Sequence, residues 1–229
     1  MRKTKWVITI DGPAGSGKSA IAHSLAQEWD LLYLDTGALY RALAYGMITS
    51  GLTADISEGE LKSFLEGTRI NLHQQGNDLC VFLDREDVSA KIRTEEVAIM
   101  ASTISALPTL RRALLSVQRE CARDGGVVAE GRDMGTVVFP DADFKFYLHA
   151  SVEERAQRRY HELVIKKKEN VDYNIIKESI MLRDKQDMER ATAPLCVPDH
   201  AHMIDSSQMT IADVLSVING ILRQGVFIS

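Results

Sequence analysis

The 229-residue chain has only three cysteines, Cys80, Cys121 and Cys196. They stand apart with no CxxC spacing, which argues against a disulfide framework or a structural zinc site and predicts a reducing compartment, the cytoplasm. No apolar run is long enough to cross a bilayer, so no membrane partner is expected. There is no basic excess: the net charge of −5 argues against a general nucleic-acid binder, although it leaves room for small phosphate ligands that need only local positive charge. Internal repeats and low-complexity tracts are missing as well. Met1-Arg2-Lys3-Thr4-Lys5 is basic, but the apolar run behind it is short, so it reads as a charged lead-in to a strand and not as a signal peptide. What is present, 45% apolar and 26% charged residues, is the composition of a soluble globular protein with one good core.

The stretch around which the rest is arranged is Gly12-Pro13-Ala14-Gly15-Ser16-Gly17-Lys18-Ser19, which meets every fixed position of GxxxxGK[ST]. Trp6-Val7-Ile8-Thr9-Ile10 before it has strand length and composition. Ile21, Leu25 and Trp29 after it recur at helical spacing. A glycine-rich loop between a strand and a helix lets backbone N–H groups converge on phosphate, with the positive end of the helix behind them. Lys18 is expected on the outer phosphates and the Ser19 hydroxyl on Mg²⁺.

Further strands are expected at Leu31–Leu34, Gly125–Ala129, Phe144–Leu148 and His202–Asp205, alternating with helices. This pattern predicts an α/β fold with a parallel sheet of roughly five strands covered on both faces. Between Gly51 and Arg93 the texture changes. Ser57 and Glu60 suggest a capped helix, and two strand-like runs flank Gln75-Gly76-Asn77-Asp78, which reads as a hairpin inside a small insertion. His73 reads as an exposed strand residue, and His200 and His202 do not by themselves read as a metal site.

Several polar residues invite two readings. Thr36, after Leu34-Asp35, suits a helix N-cap or a ligand contact at the carboxyl edge of the sheet, where Tyr40 and Arg41 also fall. Thr94 and Pro108 open two helices, whose Ser102 and Arg111 lie off the apolar stripes. Glu130-Gly131-Arg132-Asp133 sits at the exit of a buried strand. Ser151 and Glu154 read as a capping box. Arg155, Arg158 and Arg159 share a helix face, where they repel unless anions offset them, and Lys166-Lys167-Lys168 follows. Arg183, Asp187 and Arg190 share another face.

Taken together, Ile8–Pro13, Leu34–Arg41, Glu130–Pro140 and the Arg183–Pro194 stretch resemble bacterial cytidylate kinases, in the family's order and over nearly the whole chain. The Gly131–Pro140 block is the most specific of these. The resemblance implies a single domain over residues 1–229 with a phosphate-loop core, a nucleotide-binding insertion at 51–93 and a mobile lid at 151–171. It implies transfer of a phosphoryl group from ATP, with Mg²⁺, to CMP or dCMP. By the same resemblance Thr36, Arg41, Arg132 and Arg190 surround the acceptor phosphate. Ser102, Arg111 and Asp133 address cytosine, Arg183 and Asp187 face the sugar, and Arg155, Arg158 and Arg159 reach from the lid toward ATP. Arg112 beside Arg111 leaves open which of the two points inward; Arg111 is favoured. Thr36 stands where the family commonly has Ser, and Met188-Glu189 where it is often more basic.

Such a reaction needs alignment and positive charge more than covalent help, and an acceptor phosphate oxygen needs no general base. A carboxylate at Asp133 accepts from the cytosine amine and repels the uracil carbonyl, a polar mismatch that discriminates strongly. The expected protein is a monomer. Another phosphate-loop kinase of small molecules, such as a shikimate or nucleoside kinase, and a nucleotide-operated switch are the competing readings. The first would not share the Arg132–Asp133 block, and the second lacks a recognisable guanine-reading motif.

Overall fold

The computed structural model describes residues 5–76, 78–166, 168 and 170–226. In chain order the elements are β1 (Val7–Asp11), α1 (Lys18–Trp29), β2 (Leu32–Asp35), α2 (Thr36–Thr49), α3 (Glu58–Gly67), β3 (Ile70–Gln75), β4 (Asp78–Leu83), β5 (Glu86–Asp87), α4 (Glu95–Ile104), α5 (Pro108–Glu120), β6 (Val127–Gly131), β7 (Phe144–His149), α6 (Val152–Tyr160), α7 (Tyr173–Glu189), β8 (His202–Asp205) and α8 (Ile211–Val226). The strands expected from the apolar runs are all present. The described residues form two compact units, those within 5–7 and 26–130 and those within 8–25 and 131–226.

In the first unit β2 and β6 run parallel, with Tyr33 opposite Val128 and Asp35 opposite Glu130. The strand β6 is buried along its whole length, as its Val-Val-Ala start requires. The expected hairpin is formed by β3 and β4, from Ile70 opposite Leu83 to Gln75 opposite Asp78, and β5 returns antiparallel against β4. Asn77 in its turn lies outside the described residues. The strand β4 also meets β2 in parallel at Tyr33 and Asp78, so the hairpin continues this part of the sheet. His73 is exposed and stacks on Phe82. Leu39, Leu43 and Met47 of α2 enter a core completed by Leu61, Ile92, Ile104 and Leu110. Ser57 and Glu60 make the reciprocal capping box that opens α3, and Thr94 caps α4.

In the second unit β1, β7 and β8 pair in parallel, with Ile10 opposite Phe146 and Phe146 opposite His202. Ile8, Ile10 and Phe146 are fully buried. The helices α6 and α7 close on each other through Ala156, Ile176 and Ile180, with Leu163, just after α6, in the same cluster. Ser151 caps α6 by accepting from the Glu154 N–H at 3.2 Å, but the expected reciprocal half of the box is not made. The Ser151 N–H donates to Ser207 Oγ, and the Glu154 carboxylate accepts from Arg158. From the Lys166–Lys168 run, Lys167 lies outside the described residues. No helix among the described residues is long and apolar enough to cross a membrane.

Candidate active site

Three glycines shape the loop after β1. Gly12, Gly15 and Gly17 have φ of +145°, +75° and +96°, all disfavoured for a residue with a Cβ. Space forbids one at Gly12 in any case, because a Cβ there would lie 2.0 Å from the Leu148 carbonyl oxygen. The loop ends at Lys18, the first residue of α1, so the positive N-terminal end of the helix faces it. Lys18 is buried, and its Nζ donates to the Pro13 carbonyl at 2.7 Å and to Ser16 Oγ at 3.5 Å. The Ser206 hydroxyl donates to the Ser16 carbonyl at 3.3 Å and ties the loop to the residue after β8. Ser19 is exposed in the first turn of α1. No cluster of His, Cys, Asp or Glu among the described residues forms a cage for a metal ion. A single exposed hydroxyl beside a phosphate loop fits Mg²⁺, which keeps water and takes most of its ligands from the nucleotide's phosphates.

Asp11, the last residue of β1, is fully buried and accepts from the Met134 N–H at 2.8 Å and the Gly135 N–H at 2.7 Å. Burial pushes its carboxyl up to about 6, the two N–H donors and Lys18 working against it and the charge of Asp133 with it. Met134–Val138 is a single π turn, closed by the Phe139 N–H on the Met134 carbonyl. Asp11 therefore holds the start of the turn that follows Arg132 and Asp133. Gly135 leaves no room for a side chain, since a Cβ would meet Pro198 at 2.9 Å and Thr9 Oγ1 at 3.0 Å.

Arg132, Asp133, Asp187 and Arg190 gather in the same unit. Arg132 Nε donates to Asp187 Oδ2 at 2.8 Å. Arg190 lies 3.8 Å from Asp187 Oδ1 and 3.7 Å from Asp133 Oδ1. Burial alone would raise the Asp187 carboxyl, but Arg132, with further charge from Arg183 and Arg190, overcomes it and leaves the group below the usual carboxylate range. The expectation that Arg190 continues the helical face of Arg183 and Asp187 is corrected: α7 stops at Glu189, and Arg190 is its extended C-cap. Its Nε donates to the Ala193 carbonyl at 2.7 Å, made possible by Ala193 in the left-handed region at φ +50°.

The three arginines of α6 are each offset by a carboxylate. Arg155 is buried against Asp184, Arg158 Nε donates to Glu154 at 2.8 Å, and Arg159 Nη1 donates to Glu162 at 2.9 Å. Arg158 also reaches the Ser206 carbonyl at 2.7 Å.

In the first unit the N-cap of α2 is Asp35 and not Thr36: its side chain accepts from the Ala38 N–H. The Thr36 hydroxyl instead donates to the Glu130 carbonyl at 2.7 Å and is buried. Asp35 also accepts from Arg41 at 2.7 Å and Arg93 at 3.3 Å. Gly37 makes space for this pair, since a Cβ would lie 3.1 Å from Arg41 Nη1. Arg111 is the buried member of its pair, over the Tyr40 ring and donating to the Ser105 carbonyl at 3.0 Å, whereas Arg112 is exposed and donates to Thr109. Ser102 is half-buried, and its carbonyl accepts from Ser105 Oγ at 2.7 Å.

Residues 8–224 match the family model described as Cytidylate kinase. The chain belongs to the cytidylate kinase family. It is 41% identical to the cytidylate kinase of Citrifermentans bemidjiense over 98% of this chain and 95% of that one. It is 43% identical to the cytidylate kinase of Aeromonas salmonicida over 93% and 91%. A solved structure of an uncharacterized protein from Eubacterium ventriosum shares the fold alone, at a TM-score of 0.52 and 10% identity over 95% of this chain and 98% of that one.

Against the family pattern, sequence reasoning passed over two carboxylates that hold arginines, Asp35 and Asp184, and one that holds the turn after Asp133, Asp11. Asp11, Asp35 and Asp184 stand next to motif residues, yet each one's partner is far along the chain or on another turn. The only local signal was Asp35 immediately before a helix, a common N-cap position. Nothing local marks Asp184 as the partner of Arg155.

Proposed function

We propose that this cytidylate kinase family member transfers the γ-phosphoryl group of ATP to CMP or dCMP. The observation that carries the reading is the union, in one unit, of a phosphate loop carrying a buried Lys18 with the Arg132–Asp187–Arg190–Asp133 cluster. In-line transfer requires two phosphate chains held end to end amid positive charge.

The loop from Gly12 to Ser19 binds the donor phosphates through its N–H groups, and Lys18 exchanges the Pro13 carbonyl for a phosphate oxygen. Mg²⁺, held from the protein side by Ser19, supplies charge neutralisation on the donor phosphates. Arg132 and Arg190 bind the acceptor phosphate, with Thr36 and Arg41 assigned to it by the family resemblance. Asp133, Ser102 and Arg111 recognise cytosine, and Arg183 and Asp187 the sugar. A buried carboxylate accepts from the cytosine amine and turns away uracil. Residues 51–93 form the acceptor-binding insertion. Residues 151–171 form a lid that brings Arg158 and Arg159 to ATP and keeps water from the phosphoryl group. The protein works as a cytoplasmic monomer.

The test is ADP release coupled to a panel of nucleoside monophosphates. CMP- and dCMP-dependent turnover with weak UMP use is expected. Equal ADP release without acceptor would overturn the phosphotransferase reading in favour of a nucleotide switch.

A further inference from the structure

Arg155 is placed unlike the other arginines of α6. Its Nε donates to the Ala150 carbonyl at 3.0 Å. Its Nη1 donates to the Ala14 carbonyl at 3.1 Å and to Asp184 Oδ1 at 3.0 Å, and its Nη2 donates to Asp184 Oδ2 at 2.6 Å. Its side chain is 4% exposed and that of Asp184 11%, whereas Arg158 and Arg159 are 31% and 34% exposed. The phosphate loop rests on it: a Cβ at Gly15 would come within 3.3 Å of Arg155 Cβ.

A guanidinium has five N–H donors in a fixed plane. Four directions are spent here on a buried carboxylate and two backbone carbonyls. A side chain so engaged, and so shielded, is not poised to reach a nucleotide. Its effect falls on the loop itself. A phosphate-binding turn must aim its N–H groups at the anion, so its carbonyls need partners elsewhere. Arg155 supplies one to Ala14, in the middle of that turn. Asp184 fixes the direction of the guanidinium by a two-pronged pairing that lysine geometry cannot reproduce.

Asp184 sits on α7 three residues before Asp187, which accepts from Arg132. One helix thereby anchors the donor loop through Arg155 and an acceptor-side arginine directly.

We infer that Arg155 and Asp184 act as one positioning unit for the donor loop, setting the Ala14–Gly15 turn for ATP, and that Arg155 does not itself contact the nucleotide. This deepens the proposed function and rests on it for the identity of the donor. It makes Arg155 the fixed root of the lid and leaves the moving charge to Arg158 and Arg159.

The experiment is a double-mutant cycle of R155M, D184N and R155M/D184N. Mg-ATP affinity is measured by calorimetry without acceptor, followed by KM and kcat with CMP. Each single variant is expected to weaken ATP binding about tenfold and leave KM for CMP within about twofold, and the double variant to be no worse than either, because coupled groups lose one shared interaction. Each single variant leaves a buried group without its partner, at a cost to folding; the double variant removes both charges and keeps the test alive. A folded double variant with wild-type ATP affinity would overturn the inference, making the pair structural only. Loss of kcat in R155M with unchanged ATP affinity in D184N would also overturn it, making Arg155 a contact to ATP. Failure of the phosphotransferase reading is distinguishable, since it appears as wild-type protein that binds ATP but shows no CMP-dependent turnover.

Discussion

Arg132 Nε donates to Asp187 Oδ2 across 55 residues of sequence, at 2.8 Å and largely out of solvent. The pair sets the direction of the arginine that the proposed function puts on the acceptor phosphate. Replacing Asp187 by Asn keeps the shape and removes the charge. D187N is expected to raise KM for CMP by about tenfold or more and to lower stability by about 3 kcal/mol, because Arg132, Arg183 and Arg190 are left to repel one another. Steady-state kinetics on CMP with a urea melt reads both, and an unchanged KM for CMP would remove Asp187 from the acceptor site.

Lys18 rests on the Pro13 carbonyl and Ser16 Oγ within its own loop. Under the proposed function its ammonium is held within the loop that takes the donor phosphates, with little reorganisation left to make. K18A is expected to lower kcat by on the order of a hundredfold or more, the scale of one lost electrostatic donor at a reacting centre. Near-normal turnover in K18A would refute the role.

Asp133 is buried and 3.7 Å from Arg190 Nη2. D133A is expected to narrow the preference for CMP over UMP by about tenfold or more, since a polar mismatch at the base edge disappears. The ratio of kcat/KM for the two acceptors measures it. An unchanged ratio would move base recognition to Ser102 and Arg111.

Asp11 gives a pH signature. Its carboxyl is pushed up to about 6 in the folded chain, against 3.8 for an ordinary Asp. The native state therefore holds this proton more tightly than the unfolded state does. Ionised Asp11 costs stability in full above about pH 6, and the cost fades as the pH falls from there toward the unfolded value, by on the order of 2–3 kcal/mol in all. Asn at this position does not titrate. Between pH 7 and pH 4 the stability of the wild type relative to D11N should rise by that order in urea melts. A flat difference would show that the carboxyl titrates normally.

Much of the architecture was legible along the chain because its signals are local. The strand of Val7–Asp11, the loop glycines and the apolar face of α1 lie within one βα unit, and the caps at Ser57 and Thr94 act on residues three positions away. Parallel strands buried on both faces reveal themselves as unbroken apolar runs, as in β6. Arg111 was harder to read. Its position off the apolar stripe suggested a surface residue, whereas the fold buries it over the Tyr40 ring and against the Ser105 carbonyl. Thr36 was ambiguous for a related reason: Asp35 had the better geometry for the cap, so the Thr36 hydroxyl turned to Glu130 on the neighbouring strand.

By itself, the order of residues determined the α/β alternation, the phosphate loop and the family, since each depends on spacing within a short window or on motif identity. Tertiary structure alone decided which carboxylate holds which arginine: Asp35 with Arg41, Asp184 with Arg155, Asp187 with Arg132. Charge attracts through space without regard to sequence distance, and the partner of a buried cation is chosen by whichever helix or strand the packed core brings beside it.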